Sequence, residues 1–365
     1  MRLIACVFCL CLSVPLFAQE ALPVKGGPVT VQRMLSNLDE PWAVAFLPGG
    51  GYLVTEREGA LIHVADGKRS EVRGVPKVFA KGQGGLLDVV AARDFAQSRE
   101  IFLSYAEPDG RVAGTALAIA KLSPDIARLT DLRVLFRQEN KTNAGQHFGS
   151  RIVEAPDGTL FLTVGERGER ELAQDIFKAN GKVIRINRDG SVPADNPFAS
   201  GGGLPEVYSY GHRNPQGATL DEDGNLWTVE HGARGGDEIN RPESGKNYGW
   251  PVISYGRHYT GFKIGEGSSK PGMEQPEYYW DPSIAPSGMM IYTGDMFPDW
   301  RGDIFVGSLK FDFIARLERS GGAIRQAEEL FRDRFERIRD VRQAPDGSIW
   351  FLSVGEGAVY RMTPG

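Results

Sequence analysis

Hydrophobic and polar positions along this chain alternate in short bursts separated by turns, which is a strand pattern. A turn such as Pro-Asp-Gly is followed by a short β-branched and aromatic run, then by glycine or a charge. The phrase occurs at residues 48–55, 156–163, 223–228 and 345–352, with looser copies at 101–104 and 302–306. Taking Leu53, Phe102, Phe161, Trp227, Phe305 and Trp350 as equivalent positions, the units recur at intervals of 45 to 78 residues. Each interval has room for several short strands, which predicts an all-β fold, a six-bladed β-propeller. A β-sandwich with chance Asp-Gly turns is the alternative, but one sandwich rarely needs so long a chain. Residues 126–136 and 323–331 each read as a helix or an outer strand. The longest intervals, 161–227 and 227–305, must carry long loops at one mouth, where sites are built.

Residues 1–18 break the pattern. Arg2 supplies a short positive start, residues 3–17 are almost unbroken apolar, and Ala18 precedes the polar Gln19-Glu20. This reads as a secretory signal cleaved near Ala18, leaving a periplasmic or secreted protein with one propeller domain over 19–365. No later apolar stretch is long enough to span a bilayer. The 3 cysteines, Cys6, Cys9 and Cys11, all fall within the signal. The mature chain therefore offers no disulfide, thiol nucleophile or Cys-ligated metal centre. A formal net charge of -5 leaves no basic footprint for nucleic acid.

Candidate chemistry concentrates in a few phrases. His63 sits in an alternating strand and reads as structural. His147 stands at the entrance to the strand at 151–153, where a neutral histidine can face the channel as a base; a structural histidine is the commoner alternative. Gly211-His212-Arg213-Asn214-Pro215-Gln216-Gly217 offers a guanidinium fork and an amide, or a turn held by its own side chains. In residues 230–240 the glycines let carbonyls turn to one point, while Asp237, Glu238 and Asn240 offer hard oxygens, a set suited to calcium. Asn247-Tyr248-Gly249-Trp250-Pro251 follows and can return a further carbonyl. Lys310 ends a strand, and alternation places Arg337 and Arg339 on one face of another. Converging cations are costly without an anion between them, although each alone also reads as a surface charge. Glu166, Glu169 and Glu171 offer an acid pair, but read as part of an Arg-rich, solvated loop. No nucleophile elbow, phosphate loop or dinucleotide fingerprint stands out.

Taken in order, six phrases resemble the soluble aldose sugar dehydrogenases that use pyrroloquinoline quinone, relatives of soluble quinoprotein glucose dehydrogenase. They are residues 82–88, His147-Phe148-Gly149, 211–217, 235–240, 247–251 and 337–341, within a likeness running from about Leu38 to Met362. The resemblance implies a quinone over the central channel and oxidation of the anomeric hydroxyl of an aldose to a lactone, with hydride passing to the quinone. It makes His147 the general base, with Gln83 beside it, and Arg339 the residue that stabilises developing charge. Arg213, Asn214, Tyr259, Lys310, Arg337 and Arg339 would hold the quinone and its carboxylates. Backbone carbonyls of Gly232 and Ala233 would hold the cofactor calcium, while Glu238 and the Tyr248 carbonyl would hold a second, structural calcium. Ser283 falls near a further cofactor-contacting position. Gln146 stands where the glucose enzyme has an acidic residue, and the dimer-forming and glucose-specific loops are shortened or absent. The broader aldose branch is therefore expected, as a monomer passing electrons to an unidentified acceptor. Two rivals are a calcium-dependent propeller lactonase, which needs an acidic metal cage on the channel axis, and a non-catalytic binding propeller.

Overall fold

The Asp-Gly phrases are turns closed by their own side chains. Asp157 Oδ1 accepts hydrogen bonds from Thr159 N at 2.9 Å and Thr159 Oγ1 at 2.7 Å, and Asp346 Oδ1 accepts from Ser348 N at 2.9 Å. Asp221 does the same for Asn225 N at 2.9 Å and also accepts from Trp227 Nε1 at 2.9 Å. Each turn delivers the chain into a buried strand whose neighbours pair antiparallel with it.

This computed structural model describes residues 19–365; the expected signal segment lies outside the described residues. Five four-stranded sheets begin at Pro41–Phe46, Leu86–Ala91, Ile152–Glu154, Pro215–Leu220 and Pro286–Ile291. The sixth has five strands and joins the two ends of the described chain. Ile338–Gln343, Ile349–Ser353 and Ala358–Pro364 pair onward to Gly27–Leu35, which pairs with Gln19–Val24. The first strand of each sheet touches that of the next, so six blades close a ring about a central axis. The expected six-bladed propeller is what forms.

All six equivalent positions lie on the second strand of their blade, from Leu53 on Tyr52–Glu56 to Trp350 on Ile349–Ser353. The two ambiguous segments resolve as outermost strands, Leu129–Arg137 and Ala323–Leu330. The core lies between blades. Leu53, Leu86 and Leu103 share one cluster, and Phe305, Val341 and Phe351 another. Each such fully buried side chain contributes about 1.5–3 kcal/mol.

The axis is filled by alternating charges. Arg151 Nη1 lies 3.1 Å from both Asp88 Oδ1 and Asp340 Oδ1. Arg342 completes the set, with Nη2 2.7 Å from Asp88 Oδ1 and Nε 2.9 Å from Asp340 Oδ2. Pairing of this kind offsets the cost of burying the charges. The site sits on one side of this plug.

Candidate active site

A cavity of about 1220 Å³ opens at one mouth of the ring. Gln83, Gly232, Ala233, Tyr259, Lys310, Arg337 and Arg339 all line it, so the loops gather seven of the residues expected from sequence. Lys310 lies 4.7 Å over the Phe311 ring, Arg337 Nη1 donates to the Leu309 carbonyl at 3.3 Å, and Arg339 Nη1 donates to Gln216 Oε1 at 2.9 Å. None of these three cations forms an ion pair among the described residues. Burial, together with the charges of Arg337 and Arg151, pushes the Arg339 guanidinium down to about 9. The two arginines converge, but not through strand alternation. Arg337 precedes the strand Ile338–Gln343 in a left-handed conformation, φ 53°, and its N–H donates to Asp312 Oδ1 at 2.8 Å.

His147 sits just behind this lining. Its N–H donates to Gln83 Oε1 at 2.8 Å, and its Nδ1 lies 2.5 Å from Glu166 Oε1. An ionised carboxylate only accepts, so Nδ1 carries the proton and Nε2 keeps a free lone pair. Burial holds the imidazole below the ordinary histidine value, Glu166 opposes this, and the Arg213 charge adds to it. The geometry needs two glycines. A Cβ on Gly82 would collide with the Gly145 carbonyl, and one on Gly165 with the His147 carbonyl.

Glu166 corrects the sequence reading. It is 2% exposed, not solvated, and its neighbour Arg167 is buried with its guanidinium 3.4 Å over the Phe148 ring. Arg167 also donates to the carbonyls of Ala144 at 2.6 Å and of Gln146, fixing the loop that presents His147. The signal for Glu166 was weak, because nothing local separates this carboxylate from Glu169 and Glu171.

Arg213 and Asn214 also lie behind the lining. Arg213 N donates to Glu230 Oε2 at 2.6 Å and its Nη1 to the His231 carbonyl at 3.3 Å, leaving Nε buried without a partner. Asn214 Oδ1 accepts from Gly149 N at 3.0 Å, tying two blades together, while its Nδ2 is buried and unsatisfied. His231, which sequence reasoning did not single out, lines the cavity. Its Nε2 donates to the Pro286 carbonyl at 2.6 Å, and burial followed by the Arg213 charge pushes it down to about 3, so it is neutral.

The segment 230–240, a turn leading from the strand Leu226–Glu230 into the strand Asp237–Asn240, divides its oxygens. Asp237 is engaged as a scaffold, accepting from Gly232 N at 2.8 Å, Ile284 N at 2.7 Å, Ala285 N at 3.0 Å and Ser283 Oγ at 2.7 Å. It therefore shapes the loop rather than presenting a ligand, and Ser283 directs its hydroxyl to Asp237 while lining the cavity. Glu238 and Tyr248 meet at a second, smaller hollow, where Glu230 joins them. Asn240 Nδ2 bridges the two carboxylates at 3.0 Å and 3.2 Å. Burial and the nearby Glu230 push Glu238 up to about 8. Two facing carboxylates, Glu230 buried and Glu238 half-buried, fit a hard cation. Among the described residues no group of three or more His, Cys, Asp or Glu side chains is arranged to hold a metal ion by itself.

His212 has both ring nitrogens engaged and reads as structural. It is fully buried, with Nδ1 2.9 Å from Glu230 Oε1 and Nε2 2.9 Å from Ser209 Oγ. His63 lies half-buried in the strand Leu61–Ala65, away from the cavity.

Comparison with known proteins agrees with this geometry. The family model for glucose/sorbosone dehydrogenases matches residues 38–361. The aldose sugar dehydrogenase YliI of Escherichia coli K12 is 46% identical over 97% of this chain and 96% of its own length. The crystal structure of the soluble apo-form aldose sugar dehydrogenase from Escherichia coli superposes with a TM-score of 0.89, covering 92% of this chain and 100% of that one. The PQQ-bound aldose sugar dehydrogenase of Streptomyces coelicolor, 27% identical, gives 0.77 over 92% of this chain and 98% of that one. A match across most of the chain places this protein in the glucose/sorbosone dehydrogenase family.

Proposed function

We propose that the chain is an exported quinoprotein that oxidises the anomeric hydroxyl of aldose sugars to lactones, using pyrroloquinoline quinone and calcium. One observation carries this reading. Three cations without ion-pair partners among the described residues, Lys310, Arg337 and Arg339, converge on a cavity backed by a neutral, carboxylate-bound histidine. Such a cluster suits an anion bearing several carboxylates.

The residues divide the work. Lys310, Arg337 and Arg339 would hold the carboxylates of the quinone, Tyr259 would border it, and Arg213 and Asn214 would fix its buried edge. Carbonyls of Gly232 and Ala233 would bind the cofactor calcium, and Glu238 with the Tyr248 carbonyl the second ion, beside Glu230. Bound there, quinone and calcium supply a polarised hydride acceptor. Nε2 of His147 takes the proton of the anomeric hydroxyl, and Glu166 holds Nδ1–H and stabilises the imidazolium that results. Gln83 fixes the His147 backbone, and Arg339 stabilises negative charge developing in the cavity. Electrons then leave to an acceptor still to be identified.

The lactonase alternative needs free acidic groups on the axis, and Asp88 and Asp340 are both engaged by Arg151 and Arg342. A non-catalytic propeller gives no role to a carboxylate-oriented histidine whose Nε2 is left free, unlike the structural His212, both of whose ring nitrogens are engaged. The test is an absorbance titration of the purified apoprotein with quinone. Binding should require calcium, and Lys310→Ala should weaken it roughly ten- to a hundredfold, the loss of one charge-assisted contact of about 1.5–3 kcal/mol. Equal affinity in chelator, or in the variant, would count against the assignment.

A further inference from the structure

Two cations of the reaction cavity have no part in the oxidation described above. Arg234 and Arg257 both line it, and both are exposed. Arg234 N donates to the Arg257 carbonyl at 2.9 Å and Arg257 N to the Arg234 carbonyl at 3.1 Å, so the two stand directly opposite on antiparallel segments. Residues paired in this way send their side chains to the same face, with Cβ atoms about 4.5–5.5 Å apart. Lys263 stands on the next rung, opposite Arg257. Its Nζ donates to the Glu266 carbonyl, while the Glu266 carboxylate pairs with Lys270 at 2.9 Å. The arrangement is fixed by the backbone. A Cβ on Gly256 would come within 2.2 Å of the Gly235 carbonyl oxygen, and one on Gly236 within 2.3 Å of Gly256 N, so the two turns meet only as glycines.

Like charges placed directly opposite destabilise a β-pair. Neither arginine forms an ion pair among the described residues, and five cations line the cavity, Arg234, Arg257, Lys310, Arg337 and Arg339, against one carboxylate, Asp281. The three carboxylates of the quinone leave that lining net positive, even before the calcium is counted. The surplus suits a further anion, and there is room for one. The cavity, at about 1220 Å³, exceeds the roughly 300–1,000 Å³ typical of a single ligand. Position supplies the rest. A hexose with its anomeric carbon at the buried His147 carries its C6 substituent at the far end of the ring, towards the mouth where the guanidinium pair is exposed. Two adjacent forks there match a carboxylate or a phosphate.

We infer that Arg234 and Arg257 form a subsite for a negatively charged group at the far end of the sugar, so that the chain prefers anionic aldoses, uronic acids or aldose phosphates, to neutral ones. This rests on the sugar-oxidising reading, and the experiment separates the two. Methyl glucosiduronate and methyl glucoside 6-phosphate have no free anomeric hydroxyl, so calorimetric titration of the quinone-loaded protein reads their binding without turnover. At least one should bind roughly tenfold or more tighter than methyl glucoside, a difference of about 1.4 kcal/mol. Which of them does so tells carboxylate from phosphate. The advantage should shrink as salt rises, because both guanidinium groups are exposed. Arg234→Gln and Arg257→Gln should each remove most of it while leaving quinone affinity and kcat/KM for glucose within about twofold of the parent, since a neutral sugar leaves both guanidinium groups in water. Two variants on separate segments guard against one that misfolds. Anionic glycosides that bind no tighter than the neutral one, or an advantage that survives both substitutions or ignores salt, overturn the subsite. So does a loss of quinone affinity in the variants, which would assign the pair to the cofactor. Glucose-dependent dye reduction by the same loaded preparations reads the parent assignment separately. Its absence overturns sugar oxidation, whereas the ratio of anionic to neutral glycoside affinity decides the subsite.

Discussion

A base working near neutral pH has to be unprotonated, aimed and still, and at His147 these conditions have separate sources. Burial keeps the imidazole neutral, and the bond from Nδ1 to Glu166 orients it. Glu166→Gln retains an acceptor but loses the charge, so turnover should fall at least about tenfold, and up to about 10⁴-fold if the tautomer is lost. The pH dependence has a definite sign. Activity requires neutral His147, so kcat/KM falls as pH drops through a value below the ordinary histidine figure of about 6.5. Glu166 pulls that value up, so Glu166→Gln should move the acid limb to still lower pH even as the rate falls. An unchanged rate and limb would mean that the carboxylate does not act on the base. At this scale the sequence was only partly legible. His147 was visible from its Gly-rich strand entrance, whereas Glu166 was hidden among arginines that looked solvated. Arg167 in fact lies against Phe148, a tertiary contact across 19 residues that no local pattern announces.

At the scale of elements, the segment from His231 through the strand Asp237–Asn240 does two jobs with adjacent acids. Asp237 ties the loop to residues 283–285, and Glu238 turns to the hollow it shares with Glu230. Composition marked all these oxygens as ligand candidates, but only backbone bonding separates a saturated carboxylate from an available one. If the hollow holds calcium, chelation of the folded protein should lower its Tm by several degrees. An ion at a hundred times its Kd stabilises by about 2.7 kcal/mol. Glu238→Gln should abolish most of the calcium-dependent shift in a thermal melt, while Asp237→Asn should lower Tm with calcium present or absent. A calcium shift that persists in Glu238→Gln would place the ion elsewhere. Arg337 and Arg339 carry a related lesson. Their convergence was legible from charge alone, but the backbone turn that produces it was not.

The whole molecule was the most legible scale, because each blade repeats the same turn and buried second strand. The spacing of Leu53, Phe102, Phe161, Trp227, Phe305 and Trp350 already counts six units, yet it does not reveal that the first described strands complete the last blade. That closure is tested by truncation. Removing residues 19–24 takes away only an outer strand of alternating exposed and half-buried positions, and should leave a folded protein. Removing 19–35 also takes Val29 and Val31, 2% and 3% exposed, and should yield an insoluble or strongly destabilised chain by solubility and thermal melting. Equal stability of the two truncations would contradict the closure. If export cleaves near Ala18, the mature protein retains both strands, and mass spectrometry of the exported form should place its start near Gln19. The closed ring exists, in this account, to hold cations and base around one cavity, and the most direct test is aldose-dependent dye reduction by protein loaded with quinone and calcium, compared between the parent and His147→Gln at equal cofactor occupancy. The expected result is aldose-dependent reduction by the parent and a loss of roughly 10²–10⁴-fold in the variant. Near-parental turnover by fully loaded His147→Gln, or no aldose-dependent reduction by the loaded parent, would contradict it.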